Sequence, residues 1–142
     1  MRTKAFEEAV LELIQAIGLL VRRTRSEAHA DELSMTESVV MSRLAGEGPA
    51  TTAALARAEG MRPQSMGTTV AALEEMGLVR RTPHETDGRQ MLIELTPKGV
   101  QLRKKTREAK QVWLSEAIAE LDAGERETLF KAAAIMRRIA GS

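Results

Sequence analysis

Two glycines and two prolines cut the middle of this chain so closely that no long helix can run through it. Gly60 and the Arg62-Pro63 step interrupt one run, Gly77 ends the next, and Thr96-Pro97 opens a third. Proline has a fixed φ and no amide hydrogen, so it suits the first helical position and breaks a helix interior. Glycine readily takes the left-handed conformation in which helices end. Two short helices fit between these breaks. The first is capped by Thr51 and runs through Leu55 to about Ala58; the second runs from Pro63 to about Met76. In the second, Met66, Val70, Leu73 and Met76 recur at helical spacing and predict a buried face.

The opposite face of that helix carries Gln64, Ser65, Thr68 and Thr69, all short, polar and uncharged. A surface helix usually puts Glu, Lys and Arg there, because Ser and Thr are poorer helix formers. An ordinary solvated face would also be polar. A face free of acid at a helix N-terminus nonetheless suits close approach to phosphates and base edges. Beyond Gly77, Leu78–Thr82 and Met91–Leu95 read as strands. The intervening residues 83–89 hold Pro83, Asp87 and Gly88, which mark a turn. Two short helices followed by a hairpin outline a winged helix-turn-helix, a DNA-binding module. Arg89 at the hairpin tip is a long cation able to enter a minor groove. Asp87 could hold its guanidinium by a bidentate pair. A salt bridge that only stiffens the turn would use the same two residues.

The flanks read as helix. From Ala5 to about Arg25, Phe6, Val10, Leu13, Ile17 and Leu20 fall on one stripe, widened by Ile14 and Val21. Arg22, Arg23 and Arg25 close this helix, where cations suit the dipole. A polar connection over Glu27–Leu33 leads to Ser34 and Glu37, a capping-box pair that starts a helix at Met35. Val39, Val40, Met41 and Leu44 supply its buried side, and Gly46, Gly48 and Pro49 stop it. A long helix from Lys98 to about Leu121 opens with six cations, Lys98, Arg103, Lys104, Lys105, Arg107 and Lys110, opposed by Glu108. That asymmetry could steer DNA, although a solvated helix face would look the same. Val112, Trp113, Ala117, Ile118 and Leu121 make its later apolar side. Asp122 and Glu125 repeat the capping pattern before a last helix through Leu129, Phe130, Ala133, Met136 and Ile139.

A winged module this small cannot shelter these amphipathic helices, which predicts a two-fold dimer. The fold class is therefore mainly α with a small β-hairpin wing. Residues 1–32 are expected to form an N-terminal dimerisation helix and connection, 33–97 the winged lobe, and 98–142 the C-terminal dimerisation helices.

Composition narrows the chemistry. The chain has 142 residues, no cysteine, and only His29 and His84 as histidines, which argues against disulfides, thiolate metals and a histidine-built zinc site. Aromatic residues make up 2%, too few for a base-stacking sheet. Net charge is +1, so any nucleic-acid site must come from local charge rather than from the total. Glu7, Glu8, Glu12 and Gln15 interrupt the apolar residues of a would-be signal peptide, and no apolar run reaches membrane-spanning length. The expected setting is cytoplasmic, with no membrane partner. No nucleophile accompanies His84 and Asp87, and there is no phosphate loop, so no enzyme and no cofactor are expected.

Two segments carry a family resemblance. One is Met61-Arg62-Pro63-Gln64-Ser65-Met66, leading through Val70, Leu73 and Glu74 to Gly77-Leu78-Val79. The other is Arg81, Pro83, Asp87, Gly88 and Arg89, followed by Leu95-Thr96 and Gly99. In these and in the order of its helices the chain resembles the MarR-type transcription regulators. The likeness spans nearly the whole chain, with the distinctive part at about Thr51–Gly99. It implies a homodimer, usually a repressor, on a palindromic double-stranded DNA operator, with Pro63–Met76 as the recognition helix. It places Arg62, Gln64, Ser65, Thr68 and Thr69 at base and phosphate contacts, and Asp87 and Arg89 as the wing pair. It also implies a small aromatic effector in a crevice between the dimerisation helices and the lobe, to which Ile17, Met41 and Trp113 are assigned. Lack of cysteine excludes the peroxide-sensing branch. Gly67 departs from good helix design, either permitting close backbone approach or loosening the helix. The alternative function is a winged protein-interaction module without DNA binding.

Overall fold

Within the winged lobe, the residues that end one helix are hydrogen-bonded to those that open another: the Thr96 hydroxyl donates to Gly77 O and the Lys98 ammonium to Met76 O. The structure, a computed structural model, describes residues 1–28 and 32–141. Its elements in order are α1 (Lys4–Glu27), α2 (Met35–Glu47), β1 (Ala50–Thr51), α3 (Thr52–Ala58), α4 (Pro63–Glu75), β2 (Val79–Pro83), β3 (Met91–Leu95), α5 (Pro97–Ala119) and α6 (Ala123–Ala140). Among the described residues the chain divides into two compact units, residues 1–28 with 108–141 and residues 32–107. His29 and the middle of the predicted connection lie outside the described residues.

The helix ends follow the local chemistry. Ser34 accepts from the Glu37 amide at 3.0 Å while the Glu37 carboxylate accepts from the Ser34 amide at 2.8 Å, completing the capping box of α2. Asp122 and Glu125 do the same for α6, and Thr51 accepts from the Ala54 amide at the start of α3. At the end of α4, Gly77 takes φ 76°, the conformation only glycine adopts without strain. There the Leu78 amide donates to Leu73 O and the Gly77 amide to Glu74 O, at 3.0 and 2.9 Å. This paired closure satisfies carbonyls that a helix end otherwise leaves open.

In the lobe, α2 contributes Val40, Met41 and Leu44 to a common core, α3 contributes Leu55 and Ala56, and α4 contributes Met66, Val70 and Leu73. Leu78, Val79 and Ile93 close it from the sheet side. Each large apolar side chain so buried stabilises the fold by roughly 1.5–3 kcal/mol. Met76, the residue that caps α4, is half-buried and packs against the edge of this core. Arg43 ties α2 to the end of α3, its Nε and a terminal nitrogen donating to one Glu59 oxygen at 3.0 and 2.8 Å. That hydrogen bond, then the one to Glu47, raises the Arg43 pKa above the ordinary arginine value.

The sheet corrects the two-strand expectation. It has three antiparallel strands in the order β1-β3-β2, with Ala50 opposite Ile93 and Thr51 opposite Leu92. A two-residue Ala-Thr strand has no alternation to read; only its partner defines it. The first wing strand also starts one residue later than expected, at Val79. The Leu78 carbonyl is instead taken by the Thr96 amide at 3.0 Å, which anchors the end of the wing to the start of α5. Arg80 faces Glu94 across the wing and pairs with it at 2.7 Å.

The other unit is unlike the lobe. No residue of α1 or α6 is buried, and Phe6, Ile14, Phe130 and Ile139 are 51–66% exposed. The apolar stripes are thus present at the predicted positions, and none of their residues is buried among the described residues. Within this unit the Arg23 guanidinium lies 5.6 Å from the Trp113 ring centroid and donates to Glu27 at 2.8 Å. Among the described residues no helix is long and apolar enough to cross a membrane.

Candidate nucleic-acid interface

The N-terminus of α4 is left open by its own sequence. Arg62 occupies the cap position in extended conformation (φ −69°, ψ 142°) and makes no side-chain capping bond. Pro63 follows at the first helical position and has no amide to satisfy. The first turn holds no acid. The exposed amides and the positive end of the helix dipole are therefore offered outward, the arrangement that attracts anions.

Met66, Val70 and Leu73 turn inward, which forces Gln64, Ser65 and Thr68 outward, where they are exposed, with Thr69 half-buried beside them. Thr68 and Thr69 donate their hydroxyls to the carbonyls of Gln64 and Ser65, at 3.2 and 3.3 Å. Each hydroxyl then presents its lone pairs outward as an acceptor, and exchanging the weak internal bond for an external one costs little. The Gln64 amide can donate and accept together, as a bidentate contact to adenine requires. The structure thus brings Arg62, Gln64, Ser65, Thr68 and Thr69 onto one short stretch of helix.

Gly67 lies on the same helix and would meet nothing within 4 Å if it carried a Cβ. No neighbour among the described residues requires a glycine there. Gly67→Ala should stabilise the protein by about 1 kcal/mol through helix propensity. The midpoint of thermal unfolding should rise by roughly 2–5 °C in circular dichroism. A lower midpoint would show strain at this site that the free space does not suggest.

The wing turn is organised by His84, which the sequence places in the turn without a role. His84 Nδ1 accepts from the amides of Thr86 and Asp87, both at 3.2 Å, so the imidazole is the acceptor around which the turn folds. The Gln90 amide closes the turn onto Asp87 O at 3.0 Å. A histidine in a proline- and glycine-bounded turn gives no pattern from which this could be read. Asp87 accepts the Arg89 amide at 3.1 Å, fixing the backbone from which the arginine projects. The expected bidentate clasp is not formed: one guanidinium nitrogen, Nε, lies 3.5 Å from one Asp87 oxygen, and the Arg89 side chain is 94% exposed. Two residues of separation on a turn let Asp87 reach the Arg89 amide more easily than both guanidinium donors.

Lys98 is one of the six cations that open α5. Its ammonium instead donates to Met76 O at 2.8 Å, supplying a cation to the negative end of α4. The partner is 22 residues away in sequence, so no local signal announces it. Arg81 holds α4 from the wing side through Glu74 at 3.1 Å. Of the residues assigned to an effector, Ile17 and Trp113 belong to the first unit and Met41 to the lobe, where it is 2% exposed within the core. Among the described residues no three His, Cys, Asp or Glu side chains gather as a metal site.

Comparison with known proteins places this geometry. A MarR family model matches residues 33–91, from the residue before the cap of α2 to the first residue of β3. The uncharacterized HTH-type transcriptional regulator Mb0904 of Mycobacterium bovis is 39% identical over 125 residues, 88% of this chain and 87% of its own. In fold, the crystal structure of RV1404 from Mycobacterium tuberculosis aligns with a TM-score of 0.88 at 24% identity, covering 99% of this chain and 97% of that one. A MarR family protein from Bacillus stearothermophilus aligns over all of both chains, with a TM-score of 0.83 at 18% identity. With an open-ended α4, a three-stranded wing and a relative this similar over most of its length, the chain belongs to the MarR family of winged helix-turn-helix transcription regulators.

Proposed function

We propose that this regulator is a homodimeric repressor that grips a palindromic operator, with α4 of each copy in the major groove and the wing in the minor groove. The observation that carries this reading is the acid-free polar face at the uncapped start of α4. In this reading Gln64 and Ser65 contact base edges, Arg62, Thr68 and Thr69 hold bases and phosphates, Asp87 sets the turn, and Arg89 enters the minor groove. Two recognition helices must lie about 34 Å apart, one turn of DNA. A small aromatic acid releases the DNA if it binds a wrongly spaced dimer better than the correctly spaced one; equal affinity for both would shift nothing.

The uncovered stripes of α1 and α6 support the dimer. Exposed apolar surface on this scale is rare on a monomer and ordinary at an interface between copies. Sedimentation should give twice the chain mass. Leu13→Lys, on the stripe of α1, should move the population toward single chains and abolish tight DNA binding. A single-chain mass for the unaltered protein would remove the dimer from the mechanism. The DNA reading itself is tested by a gel shift on the region upstream of the protein's own gene. We expect a shifted band that fades steeply with added salt. No shift at low salt would sink the proposal.

A further inference from the structure

The lobe contains a second feature built for an anion, set apart from the uncapped start of α4. A cavity of about 380 Å³ opens between the end of α2, β3 and the first turns of α5. That volume lies within the range of small-molecule sites. Leu44, Leu95 and Val100 give it an apolar side, while Arg103, Lys104 and Arg107 line the other. None of these three cations has an ion-pair or hydrogen-bond partner among the described residues. Arg103 goes further: its Nε is screened from solvent and makes no hydrogen bond. A sheltered donor left unsatisfied is costly, and such a cost is relieved when a ligand brings an acceptor. Among the described residues Glu94 is the one acid on the wall, and its carboxylate is already engaged by Arg80 at 2.7 Å.

The charge and the lining together define the ligand. A carboxylate brings one charge and two oxygens to three cations. A phosphomonoester brings nearly two charges and three acceptor oxygens, and arginine forks match it bidentately. The apolar side then takes a short hydrocarbon body, which bare phosphate lacks. We propose that this cavity is a binding site for a small organic phosphate, held at its head by Arg103, Arg107 and Lys104 and at its body by Leu44, Leu95 and Val100. The site lies at the root of the wing and is independent of whether α4 reads DNA.

Titration calorimetry on the whole chain without DNA tests it, with n-butyl phosphate, inorganic phosphate and 1-butanol as separate probes. Butyl phosphate should bind with a Kd of about 1 mM or tighter. Inorganic phosphate should bind roughly tenfold more weakly for want of the body, and butanol not measurably. Arg103→Met and Arg107→Met should each weaken butyl phosphate by about tenfold or more, whereas Lys131→Met on α6 should leave it unchanged. Arg103→Met also removes the unsatisfied donor, so its thermal midpoint should be equal or higher, which separates loss of binding from loss of fold. The proposal is overturned by full affinity in Arg103→Met, or by inorganic phosphate binding as tightly as butyl phosphate. Displacement of bound butyl phosphate by a nonspecific DNA duplex would also overturn it, assigning these cations to the DNA footprint.

Discussion

Gly99→Ala should lower the thermal midpoint by about 10 °C or more, the largest loss expected from adding one methyl group to this protein. Gly99 is buried in the first turn of α5. A Cβ there would overlap the carbonyl oxygen of Leu78 and lie 3.1 Å from its carbonyl carbon. Both are backbone atoms and cannot rotate aside. Nor can the helix retreat cheaply, because the same few residues are tied by hydrogen bonds. The Thr96 amide donates to Leu78 O, the Thr96 hydroxyl to Gly77 O at 2.6 Å, and Lys98 to Met76 O, while the Gly99 amide donates back to the Thr96 hydroxyl at 3.1 Å. Leu78 is itself 2% exposed in the core, so it cannot yield either. Overpacking typically costs about 1–3 kcal/mol, and each broken bond adds about 1 kcal/mol. Against a total stability of roughly 5–15 kcal/mol, such a sum threatens the fold. Gly67→Ala is the matched control, since the same substitution in open space should raise the midpoint. A Gly99→Ala midpoint within about 2 °C of the unaltered protein would disprove the interlock.

These two glycines also show where sequence reasoning reached and where it stopped. Every helix was legible, because capping pairs such as Ser34 with Glu37 and Asp122 with Glu125 are local chemistry and apolar spacing is local geometry. The inward face of α4 followed from Met66, Val70 and Leu73, and its outward face from what remained. Gly99 could be recognised as part of a motif, yet its physical reason is a carbonyl 21 residues earlier. Strand β1, the Lys98 cap and the pairing of Arg43 with Glu59 are likewise decided by distant partners. The wing shows the opposite limit. The turn was evident from Pro83 and Gly88, but whether Asp87 would hold the amide or the guanidinium of Arg89 depended on about an ångström of reach.

That distinction shapes the expectation for Arg89→Ala, which should weaken DNA binding by about 10- to 100-fold while leaving the thermal midpoint unchanged. The side chain is 94% exposed and has a single 3.5 Å contact with Asp87, so the fold loses almost nothing with it. Substitutions of this kind usually stay within about 0.5 kcal/mol. On DNA the position is different. An arginine in a narrow minor groove sits where the phosphates of both strands reinforce one another, and a dimer would lose two such cations. At about 1.4 kcal/mol per tenfold, a loss of about 1.4–2.8 kcal/mol over both wings gives the stated range. Each cation withdrawn from the phosphates should also flatten the dependence of log affinity on log salt, by about 1 to 2 in slope for the dimer. Arg89→Lys separates the two contributions. It keeps the charge and should restore the slope, but it lacks the planar fork and should recover only part of the affinity. If Arg89→Ala binds operator as tightly as the unaltered protein across the salt series, the wing does not enter the groove. The specificity of this regulator would then rest on α4 alone.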